Sequence, residues 1–182
     1  MKLKKIITLA LMVTFFAFCP LLLAEQIILE KGAITFDVPT GFTKLTAEEI
    51  QIKFPPTKSQ TFVVGNKDRT VTAAYGLTNI GTPPEKLTDT DLPDIQKGMA
   101  QGFNSRIPGI KWIKNEITNI NAQQWIFFEM TSKADDQDIH NMILVTFFRG
   151  QVFIVNFNST KSEFQKVEAE LKRCIQTLIV KN

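Results

Sequence analysis

Three segments in the second half of the chain are apolar on both alternations. They run from Gln124 to Ser132, from Asn141 to Arg149 and from Gln151 to Asn158. Trp125, Phe127 and Glu129 alternate with Ile126, Phe128 and Met130. Ile143, Val145 and Phe147 alternate with Met142, Leu144 and Phe148. Strands of this kind are buried on both faces, so the pattern predicts a central meander covered on each side. Asp135-Asp136-Gln137-Asp138 and Arg149-Gly150 supply its turns.

Other stretches alternate less completely. Ile27–Glu30 and Ala33–Val38 read as strands parted by Lys31-Gly32, and Pro39-Thr40-Gly41 as a turn. Thr61–Gly65 and Arg69–Leu77 read as a hairpin turning at Asn66-Lys67-Asp68. Within the second, Val71, Ala73, Tyr75 and Leu77 face one way. Thr70, Thr72, Ala74 and Gly76 face the other, and are small enough for a helix to lie close. Ile110–Ile120 is a further strand, with Lys111, Ile113, Asn115 and Ile117 on one face and Trp112, Lys114, Glu116 and Thr118 on the other. Its polar content predicts a partly wet side.

Helices are marked by their starts. Thr46-Ala47-Glu48-Glu49 is a capping box opening a short helix that ends before Pro55-Pro56. Asp91-Leu92-Pro93-Asp94 opens a second, whose apolar stripe is Leu92, Ile95, Met99 and Phe103. Gly98 and Gly102 make its face either a close-packing one or a loosely held one. Thr160-Lys161-Ser162-Glu163 is another capping box, and predicts a long C-terminal helix to about Val180. Phe164, Val167, Leu171, Cys174, Ile175 and Leu178 form its buried stripe. The prediction is an α+β domain: an antiparallel β-sheet with helices on both faces, a three-layer α/β/α arrangement over residues 25–182.

The first 24 residues have a different character. Lys2, Lys4 and Lys5 precede an apolar run from Ile6 to Phe18, then Cys19-Pro20 and Ala24. This is the pattern of a secretory signal peptide cleaved after Ala24, giving a periplasmic or secreted product. Lipidation at Cys19 and an uncleaved inner-membrane anchor over residues 6–24 are the rival readings, and the only routes to membrane contact. The leader also corrects the charge. The chain has 21 Lys and Arg against 18 Asp and Glu, but the three excess lysines all lie in the leader, so residues 25–182 are balanced. A nucleic-acid binder carries its basic excess on the folded part, so nucleic acid is not expected as a partner. Of the two cysteines only Cys174 follows the leader, which excludes an internal disulfide.

No motif for a cofactor, metal or nucleophile is evident. His140 is the only histidine; a nucleophilic site would need it beside Cys174 or a serine. Cys174 falls on an apolar stripe, where it is read as a buried small hydrophobe, and His140 as a strand-start residue near a turn. Asp135, Asp136 and Asp138 lack the Gly and distal Glu of a calcium loop and read as a solvated turn. Glu48 and Glu49 are explained by the cap. Trp112, with Lys114 and Glu116 on the same predicted face, is the candidate interface, since an aromatic among charges can anchor a partner; a partly buried Trp is the plainer reading.

The opening Ile34-Thr35-Phe36-Asp37-Val38-Pro39-Thr40-Gly41-Phe42, the Trp125-Ile126-Phe127-Phe128 strand, and Arg149 to Phe157 leading into the Thr160-capped helix resemble the PsbP-like superfamily. That superfamily includes a photosystem II extrinsic subunit, a Ran-binding import factor and DcrB-type bacterial envelope proteins. The resemblance implies a non-enzymatic protein that binds other proteins, here a cell-envelope partner, with no cofactor. Two alternatives from other classes stand beside it, a periplasmic carrier of a small apolar ligand and an enzyme with a dispersed site; an immunity protein or chaperone for a secreted toxin is a narrower form of the binding reading.

Overall fold

The computed structural model describes residues 25–53, 60–78, 87–134 and 137–181. The leader, Pro55-Pro56, and Asp135 and Asp136 lie outside them. In chain order the elements are β1 (Glu25–Leu29), β2 (Ile34–Val38), β3 (Thr43–Lys44), α1 (Ala47–Lys53), β4 (Gln60–Gly65), β5 (Val71–Thr78), α2 (Leu92–Arg106), β6 (Lys111–Ile120), β7 (Gln123–Ala134), β8 (Gln137–Phe148), β9 (Gln151–Thr160), α3 (Lys161–Gln176) and β10 (Ile179–Val180). Short 3-10 turns also occur at Glu30–Gly32 and Asp89–Asp91 among the described residues.

The strands form two antiparallel sheets rather than one. The larger has seven strands in the order β3-β4-β5-β9-β8-β7-β6, and the smaller three in the order β1-β2-β10. The expected meander is β7-β8-β9, at the centre of the large sheet. Its two alternations enter two separate cores. Trp125, Phe127, Met142, Leu144, Phe153, Val155 and Phe157 join Phe164, Leu171, Cys174, Ile175 and Leu178, together with Ile34, Phe36 and Val38 of β2. Ile126, Phe128, Met130, Ile143, Val145 and Phe147 join Leu92 and Ala100 of α2, with Ile95, Met99 and Phe103 alongside. Each fully buried aromatic or aliphatic side chain here contributes roughly 1.5–3 kcal/mol. A third, small cluster of Leu45, Val63 and Ala74 takes Ile50 of α1, so the small face of β5 does receive a helix.

The caps act largely as their residue types require. Thr46 N–H donates to Glu49 Oε2 at 2.7 Å, and Glu49 N–H to Thr46 Oγ1 at 3.2 Å. Glu49 also meets Arg69 at 3.0 Å, and the Arg69 guanidinium donates to Thr43 and to the Gly65 and Asn66 carbonyls. This hub ties α1 to the β4–β5 hairpin. The Arg69 hydrogen bond, with that of the Thr46 backbone, holds the Glu49 carboxyl below the usual range. At α3 the box is half formed. Glu163 N–H donates to Thr160 Oγ1 at 3.4 Å, but Thr160 N–H is already given to Thr70 O at 3.2 Å, and Glu163 pairs with Lys166.

Two expectations need correction here, and one open alternative is decided. The C-terminal helix stops at Gln176, not near Val180. Thr177 Oγ1 donates to Cys174 O at 2.7 Å and accepts Asp37 N–H at 2.7 Å, which ends the helix against β2. Ile179 and Val180 then pair with Thr35 and Ile34. Gly98 is not at a close-packed face, since a Cβ there would meet nothing within 4 Å; at Gly102 it would meet only the end of Arg106 at 3.9 Å. Finally, β6 does not alternate strictly. Trp112 pairs with Met130 and Lys114 with Glu129, two consecutive residues of β7, so Ile113 bulges out of the ladder.

Candidate binding groove beside the C-terminal helix

The bulge separates the residues grouped as an interface. Trp112 lies on the α2 side. Its Nε1–H donates to Asn104 Oδ1 at 2.9 Å, and its ring packs 6.3 Å from Phe103 and 5.6 Å from Phe128. Trp112 is partly buried there and ties α2 to the sheet. Lys114 and Glu116, beyond the bulge, sit on the α3 side. Lys114 Nζ lies 5.0 Å from the Phe127 ring centre and 3.7 Å from Glu116.

Lys114 there meets a helix surface that sequence reading missed. The buried stripe of α3 is flanked by Ala169, Lys172, Arg173 and Gln176, spaced i, i+3, i+4 and i+7 on one helical face. Between this face and β6 lies a groove of about 380 Å³, lined by these four with Lys114, Phe127 and Ile175. Its lining holds three cations and no acid. The acids that pair with these cations, Glu116, Glu168 and Asp37, are not in the lining; the distances are 3.7, 2.5 and 3.3 Å. The only signal in the sequence was the polar i, i+3, i+4, i+7 stripe beside the apolar one; nothing local tied it to Lys114.

Beneath α3 lies a buried polar pair. His140 Nε2 and Glu129 Oε1 are 2.9 Å apart, both side chains under 10% exposed, and the Phe164 ring stacks on the imidazole at 3.4 Å. His140 is therefore inside β8 and buried, not a strand-start residue at a turn. Its register neighbour on β9 is Ser159, whose Oγ is buried without a hydrogen-bond partner. Ser159 thus stands opposite His140 in register, while Glu129 reaches it diagonally, the residue opposite His140 on β7 being Thr131. No hydrogen bond joins Ser159 to His140, and a substrate would have to displace Phe164 to reach them. The Glu168 hydrogen bond raises the pKa of Lys172, burial opposes it, and the charges of Glu168 and, least, Glu129 add to the rise.

Other candidates are dispersed. Cys174 is fully buried, and burial pushes its thiol up to about 12, where it stays protonated and unreactive. Asp138 is engaged by Lys133 at 2.5 Å, which lowers its carboxyl pKa. No group of metal-ligating side chains occurs among the described residues. A slot of about 110 Å³ beside Ala74, Gly76, Ile154 and Asn156 is well below the roughly 300–1,000 Å³ usual for small-ligand pockets. Among the described residues, no helix is long and apolar enough to cross a membrane.

These features define a mixed α+β protein, with antiparallel sheets and three α-helices among the described residues. No family model matches the sequence, and a search of curated proteins finds no match. Solved structures do match. Cyanobacterial PsbP (CyanoP) from Synechocystis aligns over 86% of this chain and 91% of its own, at TM-score 0.62 and 16% identity. PA94, a protein of unknown function from Pseudomonas aeruginosa, aligns over 87% and 98%, at TM-score 0.55 and 14% identity. A Bacteroides thetaiotaomicron protein aligns over 87% of this chain but 49% of its own, at TM-score 0.52 and 12% identity. The fold is PsbP-like, as the sequence resemblance implied.

Proposed function

We propose that the chain is an exported accessory factor of the bacterial cell envelope that works by binding another protein and performs no catalysis. The observation that carries the reading is the open groove beside α3, where Lys114, Lys172 and Arg173 stand over Phe127 and Ile175. A cationic rim over apolar contacts suits a macromolecular partner better than a small ligand, which needs deeper enclosure. Supporting it, Ser159, His140 and Glu129 are buried, with Phe164 stacked on the imidazole. Export is supported by the leader pattern of residues 1–24. We take residues 25–182 as a single domain, with the clusters around α2 and α3 as the two outer layers of an α/β/α arrangement.

Native mass spectrometry of the protein recovered from its own envelope tests this. The expected species is residues 25–182 associated with a second polypeptide. A chain carrying instead an apolar adduct would favour the carrier reading. Turnover of a substrate by the purified protein, lost on His140→Ala, would overturn the non-catalytic one.

A further inference from the structure

Lys114 links the groove to the edge strand β6. β6 ends the seven-stranded sheet, so one edge of its backbone has no ladder partner among the described residues. The bulge at Ile113 interrupts this edge near its start, a device that discourages pairing there. From Lys114 to Ile120 the strand is regular, each residue in register with β7 from Glu129 to Gln123. Lys114, the first residue of this regular stretch, lines the groove.

Three features converge on it. The edge offers backbone donors and acceptors that another extended backbone satisfies and a lipid or free carboxylate does not. The lining has three cations and no acid. The cations themselves are 44–53% exposed, and two of their partners, Glu116 and Glu168, are exposed as well, while Asp37 beside Arg173 is 21% exposed. Exposed pairs contribute about 1 kcal/mol or less, so an incoming carboxylate can replace them at little cost. Between the cations, Phe127, Ala169 and Ile175 give an apolar strip for the uncharged side chains of an extended segment.

We propose that an extended acidic segment of the partner protein adds as a strand along Lys114–Ile120 of β6, its carboxylates meeting Lys114, Lys172 and Arg173. Main-chain bonding gives the affinity and the cations select the charge of the segment. The inference rests on the protein-binding reading and names the surface and the chemistry it recognises.

The test uses residues 25–182 with three probes: a short fluorescent peptide alternating Glu and Val, its Lys and Val counterpart, and dodecanoate. The Glu/Val peptide is expected to bind and to slow amide hydrogen exchange at Lys114–Ile120. Lys114→Glu and Lys172→Gln should each weaken it by about tenfold. Lys97→Glu, on the exposed side of α2, should leave it unchanged. Equal binding of both peptides, or binding without protection of β6, would overturn the proposal. So would dodecanoate competing at the same cations while the Glu/Val peptide leaves β6 unprotected, since the groove would then be a head-group site. If the envelope partner associates equally with wild type and with Lys114→Glu, the surface is wrong while the protein-binding function stands. If no partner is found at all, that function itself fails.

Discussion

Trp112 and Lys114 are two positions apart on one strand, yet they stand on opposite faces of the sheet. Trp112 packs with Phe103 and Phe128 on the α2 side, and Lys114 lies over Phe127 on the α3 side. Ile113 is the cause, an unpaired residue that is 53% exposed. Its removal should therefore be tolerated. Without Ile113, Trp112 and Lys114 become neighbours that still oppose Met130 and Glu129. The deletion should preserve Trp112 fluorescence and the unfolding midpoint, and should increase self-association because the edge is then flat. Deleting Ile117 instead shifts one part of β6 by a residue and turns its side chains to the wrong face, which should be strongly destabilising. Equal tolerance of both deletions, judged by thermal unfolding, would refute the bulge.

Glu129 and His140 should behave as a coupled pair. His140→Phe strands a buried carboxylate and should cost about 3 kcal/mol or more. Glu129→Met leaves a buried imidazole N–H without an acceptor and should cost about 1–3 kcal/mol. The double substitution should cost less than His140→Phe alone, because no unpaired polar group remains. Urea unfolding of the four proteins measures the coupling; simple additivity would mean that the 2.9 Å contact does not exist in solution.

Two opposite backbone substitutions should both stabilise. Gly98 is helical with open space around it, so Gly98→Ala should gain about 1 kcal/mol. Ala122, in the two-residue β6–β7 turn, has φ 66°, a left-handed conformation that costs a side-chain-bearing residue roughly 1 kcal/mol, so Ala122→Gly should gain part of that. Each should raise the melting temperature by about 2–4 °C. A fall for Ala122→Gly would show that the unfolded chain's added freedom outweighs the relief of strain.

Cys174 should give stability an alkaline limit. Its thiol ionises near 9.0 when unfolded and is pushed up to about 12 in the folded protein. The folded state thus holds a proton that the unfolded state releases, and stability should fall as pH rises from about 9 to 12. Tyr75, also raised by burial, with the Glu25 charge adding, contributes in the same direction above its ordinary value of 10.0. Cys174→Ala should abolish the part that begins near pH 9. In the native protein, alkylation of Cys174 should proceed only at the rate of unfolding; rapid labelling would place the thiol at the surface.

Much of the architecture is local and was legible in the chain. The double alternation of Trp125–Met130 and Met142–Phe148 marked central strands because burial on both faces requires it. Thr46 and Glu49 marked a helix start because unpaired N–H groups at a helix end need acceptors. The stripes Leu92-Ile95-Met99-Phe103 and Phe164-Leu171-Cys174-Ile175 marked the buried helix faces. The features the tertiary structure decided depend on atoms far apart in sequence. Leu178 keeps helical spacing yet lies beyond the helix, because Thr177 is claimed by the Asp37 N–H of β2 and Ile179 by a strand. His140 looked like a turn residue because its partners, Glu129, Ser159 and Phe164, come from three other elements. Lys114 gave no sign of Lys172 and Arg173. Only the register of β6 on β7, displaced by one residue at Ile113, turns it toward α3. Periodicity fixes which residues share a face only while the ladder is unbroken; one inserted residue reverses the assignment, and that insertion is settled by the partner strand.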